Sequence, residues 1–213
     1  MQRFKNVLLV FDKDRETLRR AVTLAKSNRA RLTVVGVLEG LPPNAGTPVT
    51  GTRRLDVREL VVNEQREQLA KFISRFRGQR IRIDTDVLVG NPSLEVIREV
   101  VRNKRDLVIM TAEGRTGLRQ RLFGSTSMHL MRKCPCPVWV IKPTRRKRLA
   151  KVLAAVDPYS STEEGRLLNI KILDLATSLA QTDGGELHIV HAWTLFGEDL
   201  LRRRSSRREL DEW

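Results

Sequence analysis

DLVIMTAEGRTGLRQRLFGSTSMHLMRKCPCPVWVIK, running from Asp106 to Lys142, decides how the rest of the chain is read. It reads as an apolar strand, a glycine-bearing loop, a Gly-Ser pair that opens a helix, and a second apolar strand. A strand that passes through small residues into a helix start leaves backbone N–H groups without intrahelical partners, and such a set of donors suits a phosphate. Gly114, Gly124 and Ser125 are the residues on which that chemistry rests.

The chain upstream of this stretch alternates the same two kinds of element. Asn6 to Asp12 is a short aliphatic strand ending in an aspartate, and Arg15 to Ala25 places Leu18, Ala21, Val22 and Ala25 at helical spacing. Arg31 to Leu38 is rich in β-branched residues and predicts a second strand, followed by a Gly, Pro, Asn and Thr loop over Glu39 to Thr52. Leu60, Val61, Leu69, Phe72, Ile73 and Phe76 mark a long helix, and Arg80 to Val89 alternates as a third strand. Asn91-Pro92 reads as an N-cap with proline in the first helical position, and Leu94, Ile97 and Val101 form the expected buried stripe. Asp106 to Thr111 is the fourth strand, Ser125 to Arg132 a helix, and Pro137 to Lys142 the fifth strand.

Strands alternating with helices predict a doubly wound α/β domain: a five-stranded parallel sheet with helices on both faces. In such sheets ligands sit beyond the carboxyl ends of the strands, where the winding reverses. Asp12 and the run from Thr111 to Gly114 occupy those ends.

Composition bounds the function. The 213 residues hold one complete domain and part of a second, and 40% are hydrophobic, enough for a core. The longest aliphatic runs are strand-sized, such as Val7 to Phe11, far below the roughly 20 residues of a membrane helix. A five-residue apolar run after Arg3 and Lys5 is too short for a signal sequence, so a cytoplasmic location is expected. Cys134 and Cys136 are the only cysteines; one residue apart, they are poorly placed to bridge each other, and no disulfide framework follows. With no His or Cys beside them they cannot complete a four-coordinate zinc site.

The net charge of +15 attracts nucleic acid, acidic membrane surfaces or polyphosphates. The sharpest cluster, Arg202 to Arg208, has no interleaved aromatics, which favours a solvated face over nucleic-acid binding. His129, His188 and His191 fall in no nucleophile pattern, and no Walker lysine follows a glycine loop. No catalytic residues are assigned, and nothing in these motifs supports catalysis.

The chain also echoes itself. Lys5 to Asp12 and Ala150 to Asp157 both end an aliphatic strand in an aspartate, Leu167 to Leu179 is apolar at helical spacing, and Glu186 to Trp193 matches Arg31 to Leu38. Residues 1–145 are read as a complete domain and 146–213 as a partial repeat, strand-helix-strand, with an Arg-rich end.

With these residues in place, the chain resembles the universal stress protein family, and in particular its tandem-domain members. ATP-binding members carry a loop of glycine, two residues, glycine, nine residues, glycine, then serine or threonine. The matching positions are Thr111, Gly114, Gly124 and Ser125, with the nine-residue spacing intact. The first glycine is Thr111, and a β-branched residue tolerates neither positive φ nor close ligand approach well.

The resemblance implies a sheet order of 3-2-1-4-5, a role in bacterial stress response, and a nucleotide, ATP with Mg²⁺, as cofactor. It places the binding positions at Asp12, Val37, Met110, Thr111, Gly114, Arg115, Gly124, Ser125 and Thr126. Asp12 corresponds to the residue that holds adenine or ribose, Val37 to the one that reads adenine through its backbone, and Met110 to the one beneath the base. The alternative is a nucleotide-independent module that forms a homo-oligomer through Pro137 to Lys142.

Overall fold

The computed structural model describes residues 3–40, 57–76, 81–112, 124–142 and 150–192. The chain falls into two compact units, Met1–Pro143 and Thr144–Trp213.

In the first unit the strands are β1 (Asn6–Val10), β2 (Arg31–Leu38), β3 (Ile83–Val89), β4 (Leu107–Thr111) and β5 (Val138–Ile141). They form one sheet in the order β3-β2-β1-β4-β5, all neighbours parallel. The helices are α1 (Arg15–Asn28), α2 (Val57–Ile73), α3 (Pro92–Arg102) and α4 (Ser125–Lys133), with a 3₁₀ turn at Ser74–Phe76. The expected architecture and strand order are both present, and β2 has the bounds read from the sequence.

Side-chain alternation shows both faces covered. Leu8, Val35, Val108 and Met110 pack with Val96 and Val100 of α3 and Leu130 of α4. Their neighbours turn the other way: Thr111 reaches Thr17 of α1, and Phe11 meets Phe72 of α2 edge to face at 4.9 Å. β4 is consequently buried at every residue, as a central parallel strand must be.

Local signals set the helix starts. Asp14 caps α1 and accepts from Thr17 N at 2.8 Å; Asn91 caps α3, with Pro92 in the first turn. The buried face of α3 differs from the expected one. Leu94 and Val101 are 47% and 65% exposed, while Ser93, Val96, Glu99 and Val100 are buried and Ile97 is half-buried. The buried face carries Val96 and Val100 into the core cluster and Glu99 into an internal pair with Arg105 at 2.6 Å.

Arg105 also donates to Asn6 Oδ1 at 2.6 Å and Thr33 Oγ1 at 2.8 Å, and Asn103 donates to Glu99 at 2.8 Å. The Asp106 carboxylate accepts from the backbone N–H groups of Lys5 and Asn6. Together these bonds pin the amino ends of β1, β2 and β4. The pair is worth little as a net gain, but its loss strands a buried charge.

The second unit holds β6 (Lys151–Ala155), α5 (Glu163–Asp183) and β7 (Glu186–Val190), with β6 and β7 parallel in a two-stranded sheet. Thr162 caps α5 at its start, and Gly184, at φ 68°, ends it in the left-handed region that glycine enters without a Cβ penalty. Among the described residues no helix is long and apolar enough to cross a membrane.

Candidate functional site

The winding of the first unit reverses between β1 and β4: α1 carries the chain from β1 toward β2, and α4 carries it from β4 toward β5. β1 and β4 run side by side, Val7 opposite Leu107 and Leu9 opposite Ile109, so their carboxyl ends flank one crevice.

Asp12 lies two residues past the end of β1, exposed. Its Oδ1 accepts from Asp14 N at 2.9 Å, closing a turn made possible by Lys13 at φ 68°. A non-glycine residue in that conformation is held there by its surroundings, and such positions concentrate at functional sites. Asp14, the cap, accepts from both the N–H and the hydroxyl of Thr17.

That hydroxyl links the two strand ends. Thr111 Oγ1 donates to Thr17 Oγ1 at 2.9 Å, and Thr17 donates to Asp14 at 2.7 Å, which ties the end of β4 to the first turn of α1. Thr111 is only 7% exposed, ends an ordinary strand, and does not have positive φ. Its hydroxyl turns under α1. Thr17 was missed in the sequence, although its position one turn before Ala21 places it on the buried stripe of α1.

Met110 is 3% exposed, packed in the cluster formed with α3 and α4. Val37, paired with Leu88 of β3, is half-buried against the same cluster. The structure therefore brings Met110 and Val37 together on one face and Thr111 with the α1 cap on the other, with Asp12 at the rim.

Gly124 is the N-cap of α4, at φ −74° and ψ 170°, a conformation open to any residue. What glycine changes is chemical: it supplies no side-chain acceptor to the first turn, whereas Asp14, Asn91 and Thr162 each do so for their helices. Among the described residues a side-chain hydrogen bond there runs the other way, Ser127 Oγ donating to Gly124 O at 3.0 Å. Ser125 is exposed and Thr126 half-buried. The donors at this end carry the positive pole of the helix, and among the described residues no side chain caps them. Gly114 and Arg115 lie outside the described residues, as does the Arg202 to Arg208 cluster.

A cavity of about 510 Å³ opens between the β1–α1 turn and the last turns of α2. Lys13, Arg15, Lys71 and Arg75 surround it over Phe11 and Phe72, and none of the sequence-predicted site residues among the described ones lines it. Among the described residues no group of three or more His, Cys, Asp or Glu is placed to hold a metal.

Residues 3–142 match the model of the universal stress protein family. Universal stress protein E of Salmonella typhi is 28% identical over 198 residues, covering 91% of this chain and 63% of its own length. Universal stress protein MJ0531 of Methanocaldococcus jannaschii is 30% identical over 132 residues, 62% of this chain and 76% of that protein. Among solved structures, a functionally unknown protein from Pseudomonas aeruginosa PAO1 has a TM-score of 0.64 at 22% identity, over 99% of this chain and 68% of that one. The universal stress protein from Archaeoglobus fulgidus has a TM-score of 0.50 at 19% identity, over 66% and 100%. At such identities the solved structures speak for the fold alone. The chain spans 63% of the length of the Salmonella relative.

Proposed function

We propose that this chain, which belongs to the universal stress protein family, binds a nucleotide such as ATP across the carboxyl ends of β1 and β4 and acts through conformation or a partner in a bacterial stress response. The observation that carries the reading is the start of α4, where Gly124 leaves the first-turn donors without a side-chain acceptor at the switch point of the sheet. Phosphates would rest there, with the Ser125 hydroxyl beside them, and Asp12 would keep its second carboxylate oxygen for a ribose or base donor. Mg²⁺ would enter with the phosphates. The second unit, whose described residues run strand-helix-strand, reads as a repeat of the same domain type.

Calorimetric titration of the full chain with ATP and Mg²⁺ tests this reading, with Gly124→Asp as the decisive variant. The new carboxylate caps α4, adding up to about 1 kcal/mol to the helix, and repels phosphate. Binding weakened at least about tenfold without loss of thermal stability is expected. Absence of heat at millimolar ATP, or unchanged affinity in the variant, contradicts it.

Assembly is the second reading. β5 is an edge of the five-stranded sheet, and Val138, Trp139 and Val140 are only half-buried. An unpaired apolar edge favours strand addition from a second copy, with or without nucleotide. Light scattering should then give a dimer whose mass falls in Val140→Pro; a monomer at high protein concentration excludes it.

A further inference from the structure

Cys134 and Cys136, judged poorly placed to bridge when only their spacing is considered, bring their sulfurs to 3.6 Å across Pro135. The chain bends at Pro135 and Cys136, which turns both side chains to the same side. Both thiols are free and half-buried at the junction of α4 and β5, against the core cluster that contains Met110. Neither plays a part in the nucleotide reading. Pairing at about 2.05 Å needs an approach of roughly 1.5 Å, within the reach of two rotating side chains on an exposed bend.

The surroundings distinguish the two sulfurs. Either sulfur can donate to the other; the hydrogen bond from the Cys136 thiol, against the opposing effect of burial, holds the Cys134 thiol down to about 7. Cys136 is pushed well up by that same donation, by its burial, by the charge of Cys134 and by the Asp106 carboxylate. Cys134 caps the carboxyl end of α4, a position unfavourable to an anion, but Arg132 and Lys133 in the last helical turn offset that pole. One sulfur is thus a ready nucleophile and the other a protonated thiol in contact with it.

We propose that Cys134 and Cys136 form a peroxide-reactive dithiol, with Cys134 the attacking and Cys136 the resolving residue. The Cys134 thiolate attacks one oxygen of a hydroperoxide, the O–O bond breaks, and the leaving oxygen takes a proton; Cys134 becomes a sulfenic acid. Cys136 then attacks the Cys134 sulfur, the S–OH bond breaks, and the Cys136 proton leaves with the hydroxide as water. In total two thiols and one hydrogen peroxide give one disulfide and two waters, the sulfurs losing two electrons and the peroxide gaining them. A dithiol reductant reverses the step.

The test is treatment of the reduced full chain with hydrogen peroxide at pH 7, followed by thiol titration and intact mass. Loss of both thiols, a monomer lighter by two hydrogens, and recovery with dithiothreitol are expected. Cys136→Ser should stop at a sulfenic acid captured by dimedone, and Cys134→Ser should consume peroxide at least about tenfold more slowly. The serine variants change one atom each, and circular dichroism checks that they fold. Persistence of both thiols in the unmodified chain, disulfide-linked dimers as the sole product, or dimedone capture on Cys136 with Cys134 inert would each overturn the assignment.

Discussion

The two βαβ runs, β1-α1-β2 and β6-α5-β7, are alike in strand register and opposite in the burial of their first strands. Asn6 pairs with Arg31 as Lys151 pairs with Glu186. Past each first strand a backbone N–H reaches across to the second, Phe11 to Val35 at 2.8 Å and Val156 to Val190 at 3.0 Å. Each then uses its terminal aspartate in a turn of its own kind: Asp12 accepts from the N–H two residues on across Lys13 at φ 68°, and Asp157 does so at 3.1 Å across Pro158, whose ring fixes a negative φ. Yet Leu8 is fully buried, and Leu153, its counterpart, is 69% exposed.

The lesson is that local signals make the unit, while β4, α3 and α4 make its core. The aspartate at the strand end serves the turn in both runs, so it does not by itself mark a ligand site. What separates the first run is its neighbour β4, whose end leads to a glycine-capped helix.

Substitutions can break that comparison in order of effect. Arg105→Ala should be the most damaging, at about 3–5 kcal/mol, because it leaves Glu99 charged and buried; the second unit shows no equivalent pair among the described residues. Urea unfolding of the full chain measures it, and Arg105→Met with Glu99→Leu should recover much of the loss. Leu8→Ala should cost about 2–5 kcal/mol and Leu153→Ala less than about 0.5, read by hydrogen exchange in β1 and β6. Equal costs would erase the distinction in burial.

The caps should behave more alike. Asp14→Ala and Thr162→Ala each remove a side-chain acceptor worth about 1 kcal/mol, with Asp14 the larger because it also holds the Thr17 hydroxyl. Smallest is a pH effect at β3. Burial alone would raise Asp84, but Arg31 and Arg82 outweigh it and hold the carboxyl below its ordinary 3.8. The stability it lends is therefore present above that value and lost as pH falls through the lowered one. Arg31→Ala should flatten this acid limb of the thermal melting curve.

Much of the fold was legible because its signals are periodic and local. β2 is rich in β-branched residues, and Asn91-Pro92 announces α3. The differences have separate causes. The stripe of Leu94 and Val101 is exposed because α3 turns Val96, Val100 and the Glu99 that pairs with Arg105 inward, a choice its own apolar spacing does not make. The contact between the hydroxyls of Thr111 and Thr17, 94 residues apart, leaves no local signal in the sequence. The contact between the Cys134 and Cys136 sulfurs depends on a bend that residue spacing does not reveal.

Hydrogen exchange of the full chain with and without saturating ATP and Mg²⁺ tests the central claim most directly. Slowed exchange at Ser125 to Ser127 and around the ends of β1 and β4, with β6 and the start of α5 unchanged, is the predicted result. Protection confined to the second unit, or none at millimolar nucleotide, would contradict it.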